Sequence, residues 1–125
     1  MKQRWKDLVP VCLAAKSDTA ANAAFDQVLD MVGKCFTDPR DLIECELMFA
    51  WLSKPANMKR IYPLLLVGII GSTRPVRKHL THWQDARDGA EKVISTFGSD
   101  VLGSDVARKL CEMMDMEKDD DEAPH

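Results

Sequence analysis

Apolar residues recur at three- and four-residue intervals along most of the chain, the period of an α-helix with one face turned inward. Trp5, Leu8, Val9, Cys12 and Leu13 set out a first stripe. Pro10 must kink or restart it, because a proline ring removes one helical hydrogen bond and crowds the preceding turn. Ser17, Asp18 and Thr19 supply capping oxygens for a second helix carrying Phe25, Val28, Leu29 and Val32, and Gly33 stands where that helix should end. A third is predicted from the cap Asp38 and the helix-opening Pro39 through Leu42, Ile43, Leu47, Phe49, Trp51 and Leu52 to Lys54-Pro55. Its apolar positions cover most of the circumference, which predicts a central place.

A fourth helix is expected from about Asn57, holding Met58, Ile61 and the run Leu64 to Ile70, with Pro63 in its early turns and Gly71 at its end. A seven-residue apolar run also fits a buried strand, but no partner strand is legible elsewhere, so helix is favoured. Thr73 and Pro75 launch a fifth, with Val76, Leu80 and Trp83 as its apolar stripe and Arg77, Lys78 and Arg87 facing away; Gly89 separates it from a short sixth over Ala90 to Phe97. The tetrapeptide Gly-Ser-Asp-Val occurs at Gly98 to Val101 and again at Gly103 to Val106, and reads as two helix starts. The last helix carries Val106, Leu110, Met113 and Met114, and residues 117–125 form a solvated, disordered acidic tail.

The composition agrees with this pattern. With 46% hydrophobic residues, a chain of 125 can bury one core and is short for two, and with only 6% aromatics it leans away from sheet. The expected fold is all-α, a compact bundle of five to seven short helices over residues 1–116, with the third and fourth helices central and Phe49, Trp51, Leu65 and Leu66 in the core. No apolar run approaches the roughly 20 residues that span a bilayer. Lys2, Arg4 and Lys6 before Leu8 to Ala15 faintly mimic a secretory leader, but Asp7 and Pro10 interrupt the run.

Chemistry-bearing motifs are scarce. Cys12, Cys35, Cys45 and Cys111 match no zinc or redox spacing and sit among apolar neighbours, which reads as small buried hydrophobes in a reducing, cytoplasmic or other intracellular compartment. His79 and His82 could share a helix face, yet no further ligand accompanies them, so no metal is assigned. Gly68-Ile-Ile-Gly71 has apolar central residues and reads as close helix packing. With neither a Walker motif nor a dinucleotide fingerprint, no cofactor is expected and the chain reads as a non-enzyme.

The remaining signal is charge. The formal net charge is −3, yet between Glu46 and Asp85 no acid occurs, while Lys54, Lys59, Arg60, Arg74, Arg77 and Lys78 all fall there. Glu112 to Glu122 instead holds seven carboxylates against Lys118 alone. Such polarity becomes useful when a patch meets an opposite surface: another copy, a partner protein, an anionic lipid or a phosphate backbone. Lys59, Arg60, Arg74, Arg77, Lys78 and Arg87 are the candidate contact residues. The expected function is a non-enzymatic interaction module that self-associates as a homo-oligomer or docks on a macromolecular assembly. The alternative is a sequence-independent nucleic-acid-backbone binder, such as a helical small subunit of a ribonucleoprotein complex.

From Asp41 to about Ala86 the order of elements resembles the N-terminal helical domain of influenza-type (orthomyxovirus) matrix proteins. The shared features are Asp41-Leu42, Trp51-Leu52 followed by Pro55, the apolar helix with Leu64 to Ile70, then Pro75 with Arg77 and Lys78 after it. The resemblance implies an all-helical, self-assembling structural or accessory protein that bridges an anionic surface and a nucleoprotein, with Arg74, Arg77 and Lys78 as the residues that map. Where that family carries a stronger basic stretch further downstream, this chain has Gly98, Ser99 and Asp100.

Overall fold

The computed structural model describes residues 4–33, 39–98 and 103–116, and every regular element among them is helical. In chain order these are α1 (Arg4–Ala14), α2 (Asp18–Gly33), α3 (Pro39–Leu52), the single turn α4 (Pro55–Met58), α5 (Pro63–Thr73), a 3-10 turn (Arg74–His79), α6 (Trp83–Val93) continued by a π turn (Ile94–Gly98), and α7 (Ser104–Met116). One continuous core unites them as a single helical domain.

The prolines explain most of the boundaries. Pro10 lies within α1 without ending it. Pro63 does what a proline at the first helical position does: it holds Tyr62 extended (φ −58°, ψ 133°) and starts α5 afresh. The single helix expected from Asn57 through Ile70 is therefore two, α4 and α5, meeting at a bend. The fifth helix expected from Thr73 is likewise divided. Arg74–His79 winds as a 3-10 turn, Leu80 is extended (φ −117°, ψ 104°), and α6 begins only at Trp83. Gly89 does not break α6; its missing side chain admits Met58, whose sulfur lies 3.2 Å from where a Cβ would stand. At the second Gly-Ser-Asp-Val repeat, Gly103 takes φ +93° immediately before α7, the chain-reversing glycine expected there. Residues 99–101 of the first repeat, the cap Asp38, Cys35 and the tail 117–125 lie outside the described residues.

The centre of the bundle is α5. It buries Leu65, Leu66, Val67, Ile69, Ile70 and Thr73 and packs against α2, α6 and α7. Phe25 of α2 closes on the bare backbone of Gly68, 3.0 Å from a Cβ built there, so Gly68 serves the close helix packing its sequence context predicts. The third helix is more peripheral than its pattern suggests. Phe49 and Leu52 are buried, but Ile43 and Leu47 face outward at 57% and 48% exposure. Trp51 is only half-buried, edge-on to Trp5 at 5.6 Å between ring centroids, and so is a boundary residue and not a core one. From the same helix, buried Glu44 accepts the Trp5 backbone N–H at 2.8 Å. That N–H belongs to the first turn of α1, where no intrahelical carbonyl is available, so α3 caps α1 across the bundle.

Candidate functional site

Thr73, fully buried at the end of α5, organises the region that carries the basic residues. Its hydroxyl donates to the Ile69 and Ile70 carbonyls (2.8 and 3.1 Å) and accepts the Trp83 indole N–H at 2.9 Å. The first residue of α6 is thereby pinned to the last residue of α5, and the chain between them must make a tight excursion. Val76 and Leu80 anchor that excursion in the core. Arg74 lays its guanidinium over the Trp83 ring, 5.7 Å from the centroid, and Arg77 donates to the Arg74 carbonyl at 3.0 Å. Lys78 and His79 face solvent. On the far side of the excursion, Glu46 of α3 accepts both the backbone N–H and the hydroxyl of Thr81 (2.7 and 3.0 Å).

The six basic positions singled out from sequence fall into three places. Arg74, Arg77 and Lys78 come together, with His79, in one six-residue turn. Lys59 and Arg60 lie at the opposite end of α5, a helix of 11 residues and so about 16 Å long. There the Arg60 carbonyl accepts Lys16 Nζ at 3.1 Å, and Lys59 edges a groove of about 490 Å³ between α4 and α6 whose rim also holds Lys92, Asp85 and Asp88. Arg87, 18% exposed, pairs with Asp88 at 3.3 Å and with Glu91 one helical turn on. His79 and His82, split by the extended Leu80, do not share a helix face. Among the described residues, no group of three or more His, Cys, Asp or Glu could hold a metal ion.

The cysteines depart from the sequence reading. Cys12 and Cys45 are buried and Cys111 half-buried, but Cys45 is disulfide-bonded, so the expectation of four reduced thiols does not hold for it. Burial pushes the Cys12 thiol up to about 11. Tyr62 donates its phenol proton to Asp18 at 2.7 Å, and that bond to a carboxylate, with burial, holds the phenol above its ordinary range.

Sequence reasoning found the basic turn but missed what fixes it. Periodicity placed Trp83 on an apolar stripe and said nothing of its indole N–H, whose partner lies ten residues earlier at the end of another helix. No helix of the described residues is long and apolar enough to cross a membrane. No protein-family model, curated protein or solved structure matches the chain.

Proposed function

We propose that this protein is a non-enzymatic helical interaction module that docks on an acidic protein surface through the turn Arg74–His79. The observation carrying the reading is the pinning of that turn. Its two ends are tied by the Thr73–Trp83 bond, and Arg74 is held against Trp83. A cationic cluster already ordered in this way spends less side-chain entropy on binding than free lysines and arginines do. Arginine also suits carboxylates, since its planar fork can meet both oxygens. Lys59, Arg60 and Arg87 lie elsewhere on the molecule, so the proposal rests on Arg74, Arg77 and Lys78, which one turn holds together. A structural or accessory role of the viral matrix kind, as the resemblance over residues 41–86 implies, is one setting for such a module.

Fluorescence anisotropy of labelled poly-glutamate and of a labelled single-stranded oligonucleotide, titrated with the full chain at low ionic strength, tests the proposal. Docking on acidic protein predicts that poly-glutamate binds and that Arg77→Glu with Lys78→Glu removes the binding. Binding of the oligonucleotide alone, with affinity falling steeply as salt rises, would transfer the site to phosphate backbones. No binding of either polymer would overturn the reading.

A further inference from the structure

The third helix carries more apolar surface than its place in the bundle uses. A helix apolar around most of its circumference is one that packs on every side. Cys45, Met48, Phe49 and Leu52 of α3 fill the core. Ile43 nonetheless faces outward, at 57% exposure the most exposed large apolar side chain among the described residues, and Leu47 follows it one turn on. Two large side chains a turn apart on one helix lie side by side and form a ridge.

The same side of α3 leads into a groove. Ile43, Glu46, Ala50 and Ser53 recur at three- and four-residue steps and so share one helix face. Glu46 holds Thr81, just ahead of α6. Seven residues on from each, Ser53 and Asp88 both line the groove of about 490 Å³, where Met58 lies against Gly89 and Val93 stands beyond. Helices α3 and α6 therefore lie side by side in the same sense. Ridge and groove occupy the two ends of one face, about 15 Å apart over the ten residues from Ile43 to Ser53. Small, half-buried Ala50 stands between them.

We infer that this face is a homodimer interface, in which the Ile43–Leu47 ridge of each copy seats in the groove of the other. A two-fold axis crossing the face near Ala50 lays ridge on groove twice over, and such an isologous contact closes at two copies. The charges suit a second copy. Lys59 and Lys92 against Asp85 and Asp88 cancel around the groove, so it complements an uncharged knob, and the ridge is one. The extent of the face sets the strength. Two helices each about 10 Å across and, for the 14 residues of α3, about 21 Å long offer on the order of 400 Å² per copy in projection. That lies at the low end of specific interfaces, which fits a reversible dimer with Kd on the order of 10 μM. The inference stands apart from the docking turn, since none of its residues belongs to Arg74–His79.

Sedimentation equilibrium of the full chain from about 1 to about 200 μM, a range that brackets such a Kd, tests the inference. The weight-average mass of the wild type should rise from one chain toward two. Ile43→Lys with Leu47→Lys, both at exposed positions, should leave the far-UV circular dichroism unchanged and raise the Kd more than about tenfold, because an unpaired charge would enter an apolar contact. Val93→Asp in the groove should do the same, and Thr96→Arg at an exposed lining position replaces it if Val93→Asp fails to fold. Mixing the ridge and groove variants in equal amounts should restore a two-chain mass, because that heterodimer keeps one unaltered ridge in one unaltered groove. A wild type that stays at one chain at the highest concentration, or a dimer that persists in either variant alone, overturns the inference. A mixture that stays at one chain shows that the ridge does not seat in the groove, and overturns it as well.

Discussion

Thr73→Val removes one oxygen from the joint between α5 and α6 at nearly constant volume, and its effect can be worked out from the contacts. The Trp83 indole N–H, on a side chain only 2% exposed, loses its acceptor. A buried donor left unpaired costs about 1–3 kcal/mol, and release of Arg74 from the ring adds about 0.5 kcal/mol. The Ile69 carbonyl loses less, because it keeps its helical backbone donor. We expect a loss of about 2 kcal/mol, read from urea unfolding followed by far-UV circular dichroism, with a fall in Tm of about 8 °C. In a Trp83→Phe background no indole N–H remains to be orphaned, so the same Thr73→Val change should cost under about 0.5 kcal/mol, a coupling well above the additivity of independent sites. An equal cost in both backgrounds would refute the claim that this bond joins the helices. Thr73→Ser, which keeps the hydroxyl, should lie closer to the wild type than Thr73→Val.

Further predictions concern the caps and the buried thiol. Glu44→Ala removes the carboxylate that caps α1, and should cost about 1–2 kcal/mol, in the range of a lost helix cap. Amide hydrogen exchange should then rise first in the opening turn of α1; uniform exchange throughout the chain would contradict the assignment. Gly103 stands at φ +93° with open space around its Cβ position, so Gly103→Ala should destabilise by about 1–2 kcal/mol through backbone strain alone, and Gly103→Asn by less. For Cys12, the unfolded thiol ionises near 9.0 and the folded one near 11. The unfolded state therefore releases its proton first, and stability present below pH 9 is lost as pH rises toward 11. Cys12→Ala should flatten this part of the Tm–pH profile; an unchanged slope would show that Cys12 does not carry it.

What the sequence disclosed follows from which interactions are local. Helical periodicity, caps and prolines act within a few residues, so α2, the opening of α3 at Pro39 and the start of α7 at Gly103 were all legible. Pro63 was also visible, but its power to restart the helix competed with the long apolar run that favoured continuity, and the proline prevailed. The stripe of Val76, Leu80 and Trp83 fitted a helix equally well. The Thr73–Trp83 bond instead closes the ends of the excursion together and forces a 3-10 turn with an extended residue after it. The outward Ile43 and Leu47 show the limit of composition: a helix apolar all round need not be central when a more hydrophobic helix, α5, takes the middle. Charge counting along the chain located Arg74, Arg77 and Lys78. It could not tell that Lys59 and Arg60 stand a whole helix away, since linear proximity says nothing about which end of α5 a residue occupies.

The central claim is that binding to acidic protein runs through one pinned turn and not through the basic stretch as a whole. It is tested most directly by comparing two charge reversals in the full chain, Arg77→Glu with Lys78→Glu and Lys59→Glu with Arg60→Glu, in the poly-glutamate titration. The account predicts that the first pair abolishes binding while the second leaves it within about twofold, a difference of roughly 0.4 kcal/mol. Equal losses from both pairs, or loss from the second alone, would contradict it.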